Sequence, residues 1–143
     1  MELCQFHHPI LDINVHSLLN GDCGSYAIAL IELFKDRYDC GFIMIHDNWD
    51  DELYHVGAVI DGKIFDGRGL LEHDEFIKCC YDMETKELSF IPGGWYTQEC
   101  DYSYGEIEYI KNHTAFYTEP EVFIELLTKE LDKSCHCDII TPS

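Results

Sequence analysis

Basic residues are scarce in this sequence. Lys and Arg together number 9 against 28 Asp and Glu, a net charge of −19. Such a charge repels nucleic-acid phosphates and anionic lipid surfaces, so neither is an expected partner. Long apolar runs are also missing. Charge or Gly interrupts each one well before the ~18 residues that a membrane span needs. The N-terminal stretch MELCQFHHPI has no basic segment leading into an apolar one, so no secretory signal is expected there and the expected location is cytoplasmic. Cysteine is present in 8 copies, but without a signal and in a chain of 143 residues this reads as reduced thiols, not as a disulfide framework.

The composition is that of a folded chain. Apolar residues make up 46% and aromatics 13%, enough to build a core. The length suits one domain over residues 1–143, with no repeat, low-complexity tract or linker to divide it. An acidic surface of this kind favours solubility. It also leaves open a non-catalytic reading, an acidic interaction protein that acts as an inhibitor or nucleic-acid mimic.

Several elements can be placed from pattern. A short helix is expected over 11–19. The run from Ser25 to Phe34 is helical in length and apolar on nearly every face, which puts it in the middle of a core. CGFIMI (40–45) reads as a buried strand and 46–52 as a polar loop. YHVGAVI (54–60) and KIF (63–65) flank Asp61-Gly62, the strongest short-range hairpin signal. Residues 73–82 read as a helix, 86–91 and 105–111 as strands, and 119–133 as a helix opened by Pro120. The tail from Cys135 onward reads as loose. The sum is an α+β domain with a central helix on a small antiparallel sheet.

Cys23 follows Gly21-Asp22 and opens the central helix. A thiol at a helix start feels the positive end of the dipole, which favours the nucleophilic thiolate, and the free N–H groups there can hold an oxyanion. Gly21 and Gly24 would let a substrate approach the backbone. Asp22 is an N-cap that must point away from the sulfur for this to work. A buried packing cysteine is the plain alternative.

The hairpin supplies the partners. With Asp61-Gly62 as the turn, Ile60 faces Lys63, Val59 faces Ile64, Ala58 faces Phe65 and Gly57 faces Asp66. His55 and Asp66 then become diagonal neighbours on one face. The carboxylate can accept the imidazole Nδ1–H and leave the other nitrogen for the sulfur, with Gly57 leaving open space beside them. Nucleophile, base and orienting acid make up the general triad.

GDCGSYAIAL resembles the nucleophile segment of papain-like cysteine peptidases. HVGAVIDGKIFDGRG resembles the His-strand-turn-strand-Asp segment of their compact relatives, including transglutaminase-like proteins. Residues 20–70 carry the likeness. It implies a minimal papain-like fold and a hydrolase or acyltransferase acting on an amide, isopeptide or thioester bond of a protein or peptide, with Cys23, His55 and Asp66 as catalytic residues and no cofactor. The family's Gln before the nucleophile is absent. Ser17 stands in its place, with Asn20, Asn14 and Gln5 as substitutes for the oxyanion hole beside the Cys23 N–H.

Other signals carry less. His46 is a rival base without a positioned acid. Cys135-His136-Cys137 with Cys100 or Cys79 makes only a weak zinc pattern. Cys79 and Cys80 are adjacent packing residues, and His7-His8 reads as solvated. Asp50, Asp51 and Glu52 form an acidic loop, with calcium as the alternative. Trp49, Trp95, Tyr96 and Tyr104 either line a substrate groove or pack a satellite core.

Overall fold

A computed structural model describes residues 21–139, with side chains through 130. It is an α+β structure. The expected helix over 11–19, His7-His8, and the oxyanion candidates Gln5, Asn14, Ser17 and Asn20 lie outside the described residues.

Helix α1 (Cys23–Phe34) is buried along almost its whole length, as its uniform apolarity requires. It packs on a five-stranded antiparallel sheet ordered β4-β3-β2-β1-β7, made of β1 (Cys40–Asp47), β2 (Leu53–Ile60), β3 (Lys63–Asp66), β4 (Gly69–Leu71) and β7 (Trp95–Asp101). Phe42, Met44, Val56 and Ala58 join Tyr26, Leu30 and Phe34 in the main core. Ile43 and Ile45, on the alternate positions of β1, pack instead with Phe76, Ile77, Cys79 and Ile91. Both faces of the central strands are therefore covered, which explains their unbroken apolar runs.

The β2–β3 hairpin forms as its sequence dictates. Ile60 pairs with Lys63, Val59 with Ile64 and Ala58 with Phe65. Asp61 and Gly62 both take positive φ, 54° and 74°, as a type I′ turn requires. The ladder stops one pair short of Gly57 and Asp66.

Four assignments need correction. Residues 105–111, read as a strand, belong to helix α3 (Tyr104–His113), whose cap Ser103 accepts a hydrogen bond from the Glu106 N–H. The edge strand β7 instead comes from 95–101, which the sequence reading left in a loop. Residues 73–82 form only a short helix α2 (His73–Phe76) before turning into β5 (Cys80–Asp82), which pairs with β6 (Glu87–Ser89). The C-terminal helix α4 (Pro120–Ile139) runs past Cys135 into the segment expected to be loose. Among the described residues no helix is long and apolar enough to cross a membrane.

Candidate functional site

Cys23 is the first residue of α1 and keeps 4% of its surface. The first N–H groups of a helix have no acceptor within it; the Tyr26 N–H, one turn in, donates to the Asp22 carbonyl at 2.9 Å. Asp22 does not cap the helix through its side chain. Its two carboxylate oxygens instead accept from the Thr118 N–H and Oγ–H, each at 2.9 Å. Thr118 returns the contact by accepting from Ser25 Oγ at 2.5 Å, and the Phe116 N–H donates to the Gly21 carbonyl at 3.2 Å. The loop between α3 and α4 thus straps down the turn that presents Cys23, and it holds the Asp22 charge on Thr118.

His55 sits at an irregularity in β2. Ile45 pairs with His55 but His46 pairs with Leu53, which leaves Tyr54 without a partner across the ladder. Such bulges re-aim side chains and are common beside active sites. The His55 ring is fully buried, packs at 5.2 Å from the Phe76 ring, and meets Asp66 Oδ2 through Nε2 at 2.9 Å. This corrects the expected ring orientation. Asp66 lies beyond the last ladder pair and reaches the outer edge of the imidazole, so Nε2, not Nδ1, makes the bond. Nδ1 has no hydrogen-bond partner among the described residues.

The electrostatics tie the three groups together. Burial opposes charge on His55, but the Asp66 hydrogen bond and the nearby Cys23 sulfur outweigh it and raise its pKa from 6.5 to about 9. Burial likewise pushes Asp66 up, and the His55 and Arg68 contacts more than reverse this, lowering it to about 2.

Arg68 is a residue that the sequence reading did not single out. Its guanidinium holds both Asp66 oxygens, with Nη2 to Oδ2 at 2.6 Å and Nε to Oδ1 at 3.1 Å. Its remaining N–H groups donate to the carbonyls of Glu75, Phe76 and Lys78. One side chain therefore fixes the Asp66 carboxylate and also closes the C-terminal end of α2, whose Phe76 packs on the His55 ring. Tyr26, one turn along from Cys23, is another residue missed in the sequence. It is buried with no partner for its hydroxyl among the described residues, and burial followed by the Asp66 charge raises its pKa.

The glycines expected to admit substrate do other work. A Cβ on Gly57 would lie 2.6 Å from Phe76 Cε1 and 3.2 Å from Ile43 Cγ2, so the space expected beside the pair is filled by the Phe76 ring. A Cβ on Gly24 would collide with Ile110 of α3, so this glycine allows two helices to approach. Gly21 is buried, with its carbonyl engaged by Phe116. Trp49 is 80% exposed on the β1–β2 turn, its indole lying over Gly93; no contact joins it to the triad.

The rival base His46 is buried in an aromatic stack. It lies 5.0 Å from Tyr96, edge-on to Tyr109, and Nδ1 meets the Asp51 carbonyl. Asp51 accepts from the Tyr96 hydroxyl and Asp47 from the amides of Trp49 and Asp50. The acidic loop is thus folded around its own donors. Trp95 stacks on Phe90, and Tyr104 is exposed. Cys79 is buried and its thiol is pushed up to about 12, chiefly by burial; Cys80 accepts from the Tyr54 hydroxyl. Cys23, Cys40, Cys79, Cys80 and Cys100 are free thiols. Among the described residues no group of three or more His, Cys, Asp or Glu is arranged to hold a metal. The side chains of Cys135, His136 and Cys137 lie outside those described.

No protein-family model matches this chain, and neither does a curated protein or a solved structure.

Proposed function

We propose that the chain is a cysteine-dependent hydrolase or acyltransferase of papain-like type, acting on an amide, isopeptide or thioester bond in a protein or peptide. One observation carries this reading. The helix that Cys23 opens packs on the strand that carries His55, and the buried His55–Asp66 pair leaves the imidazole Nδ1 without a partner among the described residues.

In the proposed reaction, His55 Nδ1 takes the Cys23 proton and the sulfur attacks the substrate carbonyl carbon. The carbonyl oxygen becomes an oxyanion held by the first amides of α1. The oxyanion collapses, the bond to the leaving group breaks, and His55 delivers its proton to that group. Water or another acceptor then attacks the thioester, gives its proton to His55, and releases the acyl product with the thiol restored. Asp66 keeps the imidazole in place and stabilises its charge, and Arg68 keeps Asp66 in place. Cys23 is almost covered, so a substrate must first uncover it. No cofactor takes part in these steps.

The covered thiol and the −19 charge favour a second reading, a non-catalytic acidic interaction protein. Incubation with an acyl thioester, followed by intact-mass and peptide mapping, separates the two. The enzyme accumulates one acyl group on Cys23, and Cys23→Ala accumulates none. A chain that stays unmodified, or that is acylated at random among its thiols, is the interaction protein.

A further inference from the structure

Away from the triad, helices α1, α3 and α4 enclose a groove of about 360 Å³. Ile28, Ile107, Phe116 and Ile124 line it with apolar surface; Glu108, Glu119 and Glu121 line it too, and among the described lining residues Lys111 is the one cation. A fourth carboxylate, Glu32, is already committed to Lys35 at 2.8 Å and to the Tyr102 hydroxyl at 2.6 Å. The groove therefore offers a pocket for an apolar side chain, surrounded by surplus negative charge. A basic peptide segment with an apolar anchor matches it in both respects.

The groove also shares a loop with the nucleophile. Phe116 and Glu119 line it, and Thr118 between them holds the Asp22 carboxylate next to Cys23. Phe116 itself sits at a φ of 52°, a strained position for a bulky residue, and its N–H is tied to Gly21. A ligand that moves Phe116 moves the turn presenting the sulfur.

We infer that this groove is a docking site for a basic peptide segment of a protein partner, an apolar side chain seated on Ile107 and Ile124 and flanking Lys or Arg residues on Glu119 and Glu121. Its link to catalysis rests on the hydrolase reading, under which the docked partner is the substrate; docking itself does not.

The test uses the full chain carrying Cys23→Ala, so that binding is read without the nucleophile and a negative result leaves the acylation experiment untouched. The probe is a short fluorescein-labelled peptide with two leucines between flanking lysines, followed by anisotropy. Saturable one-to-one binding is expected. Glu119→Gln with Glu121→Gln weakens it by about 5-fold or more, and Ile124→Ser weakens it comparably, since a buried contact and its charged rim each contribute on this scale. Glu84→Gln with Glu87→Gln, on the distant β5–β6 hairpin, changes it less than about 2-fold. Three outcomes overturn the inference: no binding, an equal loss from the hairpin and groove substitutions, or equal affinity for a peptide with serines in place of the leucines. The last two would reduce the interaction to attraction by the overall charge.

Discussion

Arg68 and Asp66 form a two-point grip, the guanidinium meeting both carboxylate oxygens while the carboxylate also accepts from His55. The Asp66 side chain is 1% exposed and that of Arg68 13%, so this is a desolvated pair whose disruption leaves a charge buried. Arg68→Gln is expected to cost about 3 kcal/mol of stability and to release the C-terminal end of α2. Arg68→Lys keeps the charge but loses the fork, and is expected to retain most of the stability while lowering the acylation rate. Denaturant unfolding and single-turnover acylation, run side by side, check this. Equal activity in Arg68→Lys and wild type would show that the grip positions nothing.

The raised His55 and lowered Asp66 predict opposite pH limits. The folded pKa of His55 lies above its free value of 6.5, so its contribution to stability is complete below about 6.5 and is lost as pH rises through about 9. Asp66 lies below its free value of 3.8, so its contribution is present above that value and is lost as pH falls through about 2. An NMR titration of the His55 ring is expected to give the high midpoint. In Cys23→Ala the midpoint should fall by about one unit or more, because one of the two groups sustaining the charge is gone. A midpoint indifferent to Cys23 would separate the two side chains.

Gly57→Ala tests the cover over the base. Its new methyl meets the Phe76 ring and Ile43, and overpacking of this kind costs about 1–3 kcal/mol. A lower Tm and slower acylation are expected, because Phe76 must leave the face of His55. Adding Phe76→Leu should recover part of both. A substitution that leaves Tm and rate unchanged would mean that the space beside His55 is open after all.

Thr118→Val removes the hydroxyl that holds one oxygen of Asp22. A hydrogen bond to a buried carboxylate contributes about 1.5–3 kcal/mol, and its loss frees the Asp22 side chain next to Cys23. Cys23 alkylation at neutral pH is expected to slow while the fold survives, as circular dichroism would verify. An unchanged alkylation rate would show that the strap is structural only.

Helix α1 and the β2–β3 hairpin were legible because local signals and tertiary demands agree there. An apolar run of helical length has no place outside a core, and Asp61-Gly62 fixes the register that brings His55 toward Asp66. The segment from 95 to 113 was misread because its local signals conflict. Ile107 and Tyr109 alternate with glutamates as a strand would, yet Ile107 and Ile110 also fit one helix face. Ser103 with Glu106, spaced as a capping box, was the signal that could have decided for the helix. Strand β7 lies at the sheet edge with its side chains mostly exposed or half-exposed, so no apolar alternation marked it. Arg68, Phe76 and Thr118 were invisible for another reason. Their roles depend on contacts across the fold, such as Asp22 with Thr118, which no short-range pattern encodes.

The meeting of Cys23 with His55 is tested most directly by timed iodoacetamide labelling at neutral pH, with mass mapping of all eight cysteines. Cys23 is expected to be modified first despite its burial, and His55→Ala to slow that site alone by roughly 100-fold, the scale of a lost general base. If Cys23 reacts no faster than the half-buried Cys40 and Cys80, or at the same rate without His55, the sulfur is a sealed packing group and the hydrolase reading is wrong.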